Sequence, residues 1–147
     1  MEAPRVSVDS SPPDKLSIVV FSGTFERVHY ALVMAAAAAA SNTPVTLFFT
    51  MGGAKALLAP DLWRGMPSED GRPAGDLDHD FQTRGVAGFE ELLSACVALG
   101  VTVMVCEMGL RALNLHAGSL RPDVPVSEGG VVSFLADASR DGGMLFV

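Results

Sequence analysis

Apolar runs and helical repeats alternate along this chain. Leu16-Ser17-Ile18-Val19-Val20-Phe21 is a β-branched apolar run that stops at Ser22-Gly23, which reads as a buried strand closed by a tight turn. Phe25, Val28, Leu32, Ala35, Ala36 and Ala39 then recur at three- and four-residue steps, which predicts a helix with Ser22 or Thr24 as its cap. The alanines from Ala35 to Ala40 suit a helix pressed closely onto a sheet, and Asn42 and Pro44 end it. Val45-Thr46-Leu47-Phe48-Phe49 is a second strand, followed by Thr50-Met51-Gly52-Gly53 and a short helix to Leu58. Val86, Phe89, Leu92, Leu93, Cys96, Val97 and Leu99 mark one face of a further helix, closed by Gly100.

Val101-Thr102-Val103-Met104-Val105 is the third strand, and Cys106 follows it at once, opening a short helix to about Leu115. A proline-bearing stretch, Arg121 to Val126, is expected to hold a short fourth strand that ends at Ser127-Glu128-Gly129-Gly130. A helix over Val131 to Ser139 and a closing strand, Met144 to Val147, complete the pattern. Strands alternating with helices predict an α/β fold, with a mainly parallel sheet covered on both faces and joined by right-handed crossovers. The span 60–85 breaks the alternation. Its prolines, glycines and acids predict a long mobile loop with room for one short helical turn. Residues 1–14 read as a disordered tail, which leaves 15–147 as a single domain.

Composition narrows the possible partners. The 147 residues carry a formal charge of −7 and ten scattered Lys and Arg, a poor basis for neutralising phosphates, so nucleic acid is not expected. The longest apolar stretch, Ala31 to Ala40, is too short to span a bilayer. No signal-peptide pattern opens the chain, and the expected location is cytoplasmic. A hydrophobic fraction of 49% is high and suggests surface hidden in an oligomer. The two cysteines lack metal or redox spacing, and the three histidines lie in no ligand pattern, so no metal and no cofactor is expected. His79, inside Asp76-Leu77-Asp78-His79-Asp80, reads as part of a solvated acidic loop.

In an open α/β sheet, ligands bind beyond the carboxyl ends of the strands. Gly23, Thr24, Gly52, Gly53, Glu107, Met108 and Gly129 all fall there, and so does Cys106. A cysteine where strand gives way to helix meets the positive end of the helix dipole, which favours its thiolate. Glu107 opposes that effect and Arg111, about one turn on, offsets the acid. The competing reading is an inert buried thiol, since cysteine is among the most buried residue types. Cys96, on the apolar helix face beside Phe89 and Leu93, is read as structural. A hydrolase pairing Cys106 with His29 or His116 has no supporting spacing.

The segments KLSIVVFSGTFERVHYALVMAAAAA, VTLFFTMGGAKAL, GFEELLSACVALGVTVMVCEMGLRALNL, VSEGGVVSFLADA and MLFV, taken in order, resemble the DsrE/DsrF-like family, and within it the soluble peroxiredoxin-like members. The resemblance spans residues 16–147. It implies a three-layer αβα sandwich around five parallel strands, assembly as a homotrimer or homohexamer, and relay of persulfide sulfur between donor and acceptor proteins. The family's sulfur-bearing cysteine corresponds to Cys106. Related members read Cys-x-x-Ser-Met-Asp where this chain reads Cys106-Glu107-Met108-Gly109-Leu110-Arg111. The expected activity is sulfur transfer through Cys106, its anion steadied by backbone N–H groups of Glu107, Met108 and the Gly52-Gly53 turn. The alternative is a non-catalytic oligomeric module that holds a nucleotide or small anion at the glycine-lined edge.

Overall fold

A computed structural model describes residues 11–147. Five strands form one sheet: β1 Leu16–Val20, β2 Val45–Phe49, β3 Thr102–Cys106, β4 Ser127–Gly129 and β5 Gly143–Phe146. Their order is β4-β3-β2-β1-β5, and every pairing is parallel. Two long connections share one face of the sheet: α1 Phe25–Ala40, and the path through α2 Ala74–Thr83 and α3 Phe89–Ala98. The short α4 Glu107–Ala112 caps the carboxyl end of β3, and α5 Val131–Asp137 crosses the opposite face to reach β5. This is the expected α/β architecture. Residues 1–10 of the expected tail lie outside the described residues, and residues 11–14 are exposed coil.

The two faces of the sheet differ. Leu16, Ile18, Val20, Val45, Leu47, Phe49, Val103 and Val105 point toward α1 and α3 and build the main core with Phe25, Val28, Leu32, Leu93 and Cys96. Small Ala31 and Ala35, both buried, let α1 lie close to the strands. The alternate positions Phe48, Met104 and Cys106 point the other way, where Phe134 of α5 joins them in a second, smaller cluster edged by Val19. Among the described residues that face stays open beyond α5, and Phe21, Met144 and Phe146 are exposed.

The span 60–85 is not the expected loop. It forms a short 3-10 helix, Leu62–Gly65, and then the ten-residue α2. Trp63 is its anchor, 1% exposed, stacked on Phe89 at 4.3 Å and on Phe25 at 5.9 Å. The Glu26 carboxylate accepts from the Glu69 N–H, and Phe25 N–H donates to the Pro67 carbonyl. Buried Asp78 accepts from the Phe89 N–H and so satisfies an orphan donor at the start of α3. Spaced across short elements, these anchors produce no helical period, which is why the proline and glycine content dominated the sequence reading.

The fourth strand also differs. Arg121 to Val126 is irregular, and the strand is the Ser127–Gly129 stretch expected only as its end. Pro122 and Pro125 have no N–H for a ladder. Arg121 instead becomes a buried tie. It donates to both oxygens of Glu90 at 3.0 and 2.8 Å and to both oxygens of Asp123 at 2.7 Å. Trp63 Nε1 donates to the same Glu90 at 2.8 Å, so one carboxylate joins three chain segments.

Hydrogen bonds from Arg121 hold the Glu90 and Asp123 carboxyls below their ordinary range. A carboxylate with a depressed folded-state pKa stabilises fully above its unfolded pKa and loses that contribution as pH falls through the folded value. Both side chains are about half in water (40% and 55% exposed), so the effect falls short of a fully buried pair. Arg121→Ala is expected to cost about 2 kcal/mol at neutral pH. It should also flatten the decline in stability below about pH 4. Urea titrations of both proteins across pH 3 to 7 check both effects.

Candidate functional site

The carboxyl ends of β1, β2 and β3 carry three turns that press against one another. Gly23 and Gly52 meet backbone to backbone, and a Cβ on Gly52 would stand 2.8 Å from the Gly23 nitrogen. A Cβ on Gly53 would collide with the Val20 carbonyl oxygen. Gly109 on α4 abuts the β2 turn, where a Cβ would lie 2.5 Å from Thr50 Oγ1 and 2.7 Å from the Met51 nitrogen. Close packing of the turns therefore accounts for these glycines without a ligand. Met51, at φ 48°, takes the left-handed conformation between them.

Gly23 and Gly52 line an open groove of about 530 Å³ with Phe21, Arg27, Met51 and Phe146. It lies where the chain passes from β1 to one side while β5 is added on the other, the switch point of the sheet. Thr24 occupies the N-cap position of α1, but its side chain makes no capping bond. Ser22 Oγ accepts from the Thr24 N–H at 3.0 Å. Gly53 is buried behind the groove.

Cys106 stands apart from this groove. It is the last residue of β3 and the N-cap of α4, as its position in the sequence indicated. Its Sγ accepts a hydrogen bond from the Gly109 N–H at 3.4 Å. The donor is thus Gly109, not Glu107, Met108 or the Gly52-Gly53 turn. The thiol is 1% exposed and packs in one apolar cluster with Phe48, Met104 and Phe134, the arrangement of the competing reading, an inert buried thiol. The missed signal is the strand alternation: Phe48, Met104 and Cys106 share a face, and Phe134 is the one residue of α5 that reaches it. Gly129 on β4 lies in register beside Cys106. Glu107 and Met108 point outward on α4, Met108 being 60% exposed.

Cys96 behaves as read. It is fully buried in the main core, burial pushes its thiol up to about 11, and its Sγ faces the Leu32 carbonyl at 3.7 Å. His29 is also a core group, its Nε2 donating to the Ala87 carbonyl at 2.8 Å, and it cannot serve Cys106 as a base. His116 lines a separate hollow of about 280 Å³ beside α4 with Glu107, Arg111 and Glu128. His79 lies on α2, next to an Asp80 that pairs with Arg72. Among the described residues, no group of His, Cys, Asp and Glu is arranged to hold a metal, and no helix is long and apolar enough to cross a membrane.

Comparison with known proteins adds a family. The sequence model of the DsrE/DsrF-like family matches residues 14–140. Among solved structures, the ychN protein from E. coli superposes with a TM-score of 0.59 at 16% identity, covering 91% of this chain and 99% of its own. At that identity the likeness is one of fold. No curated protein matches the chain in sequence.

The crowding of the turns sets a stability test. Gly53→Ala forces backbone apart and is expected to cost about 3 kcal/mol. Gly130→Ala, where a Cβ meets nothing within 4 Å, is expected to change stability by less than about 0.5 kcal/mol. Denaturant midpoints of the two variants check the contrast.

Proposed function

Because this chain belongs to the DsrE/DsrF-like family, a family associated with sulfur relay, we propose that it carries persulfide sulfur on Cys106. The observation that supports the reading most is the place of that sulfur, at the end of a central strand with a backbone amide of the next helix turned onto it. A cysteine reacts as its thiolate, which is the nucleophile.

The Cys106 thiolate attacks the outer sulfur of a donor persulfide. The donor's S–S bond breaks, its inner sulfur leaves as a thiolate, and Cys106 holds the transferred atom as Cys–S–SH. In the second half, an acceptor thiolate attacks that outer sulfur and Cys106 leaves as a thiolate. No net oxidation occurs and one cysteine suffices. Cys96, in the main core with a raised pKa, takes no part. Donor and acceptor are proteins that present a persulfide and a thiol. The chain works as a homotrimer or homohexamer in the cytoplasm, its copies packing through the uncovered strip of Phe21, Met144 and Phe146.

Incubation with a small persulfide donor followed by intact mass under non-reducing conditions tests the relay. The expected product gains the mass of one sulfur atom, loses it to dithiothreitol, still forms in Cys96→Ser and is absent in Cys106→Ser. Uptake that persists in Cys106→Ser overturns the assignment. For the assembly, sedimentation should give a mass of three or six chains for the parent protein and a smaller one for Phe146→Asp.

A further inference from the structure

We infer that α5 is a lid over the Cys106 sulfur, a segment that lifts as a unit before any reagent reaches the thiol. The inference takes its purpose from the sulfur-carrier reading of Cys106, while its geometry is independent of that reading. Cys106 is 1% exposed, and the side chains packed with it are Phe48 and Met104 of the sheet and Phe134 of α5. Phe48 and Met104 belong to central strands and are fixed by the ladders on either side. Phe134 is the one member of the cluster carried by a separate element.

That element is lightly held. Phe134 is the only buried residue of α5, and its ring stacks on Phe48 with centroids 4.7 Å apart and planes 17° from parallel. Val131, Val132 and Leu135 face away from the sheet, 47%, 82% and 55% exposed, so most of the helix's apolar surface gains nothing from its present position. The far end is tied by a polar latch. Thr46 Oγ1 donates to Asp137 Oδ2 at 2.6 Å, and Lys15 Nζ donates to the same oxygen at 2.7 Å and to the Asp137 carbonyl at 2.8 Å. Gly129-Gly130 and Gly142-Gly143 bracket the helix and its exit loop. A segment with one buried anchor and one half-buried polar latch opens at a lower free energy than the whole domain, and a group beneath it reacts in proportion to that opening.

Site-resolved alkylation tests the lid without any sulfur transfer. Native protein is treated with excess iodoacetamide, and labelling of Cys106 and Cys96 is followed over time by peptide mass. In the parent protein, Cys106 should label more slowly than in the urea-unfolded chain. Phe134→Ala removes the roof and Asp137→Ala removes the latch, and each should speed Cys106 labelling by about tenfold or more while Cys96 stays protected. Native Cys106 that labels as fast as the unfolded chain overturns the lid. So does an unchanged rate in both variants, or acceleration of Cys96 in step with Cys106, which reports opening of the whole domain. Should Phe134→Ala fail to fold, Asp137→Ala decides alone, because its side chain lies at the surface. A protein that takes up no sulfur yet answers the lid variants as described loses the relay and keeps the lid.

Discussion

A parallel sheet must be covered on both faces, because its strands present apolar side chains above and below. This chain meets that requirement unequally. One face lies under α1 and α3, with alanines that bring α1 close and a core that runs from Leu16 to Val105. Among the described residues the other has the seven residues of α5, of which Phe134 is the buried one. The rigid part of the molecule and the part that is free to change are therefore set by the same imbalance. The strands keep their places through the well-packed face, and whatever moves does so on the poorly packed one.

The imbalance also explains the different fates of the two cysteines. Both are buried, so burial alone does not separate them. Cys96 is enclosed by α1, α3 and the strands. Cys106 lies at the end of its strand, where the backbone turns into α4, and its Sγ accepts from the Gly109 amide. Gly109 can approach because it has no side chain to strike the Thr50-Met51 turn. The residue that replaces serine in the Cys-x-x-Ser pattern is thus the one that lets α4 sit down on β2 and aim its amide at sulfur.

Much of this was legible in the sequence. Runs such as Ile18-Val19-Val20 and Leu47-Phe48-Phe49 can be little else than strands buried on both faces, and their alternation with helical periods determines a parallel sheet. The position of Cys106 at a strand end followed from the strand-forming run Val101 to Val105 before it. What escaped was tertiary. The order in 60–85 depends on Trp63 finding a slot between Phe25 and Phe89, and no local pattern announces that. The fourth strand slipped to Ser127–Gly129 because Arg121 answers to Glu90, 31 residues away. The burial of Cys106 depends on where α5 crosses the sheet, a fact of topology rather than of the residues beside the cysteine.

On the proposed reading, a sulfur carrier has two opposed needs that bear on Cys106. To load and unload, its sulfur must meet thiols of other proteins. Between those events it must avoid them, because a persulfide open to a reducing compartment surrenders its outer sulfur to any thiolate that arrives. A permanently open site fails the second need, and a permanently sealed one fails the first. On the lid inference, a packed apolar cluster roofed by a helix with one buried anchor separates the two states in time. As the structure stands, the exclusion of solvent from Cys106 is the arrangement of the competing reading, an inert buried thiol, and transfer chemistry there requires that α5 lift.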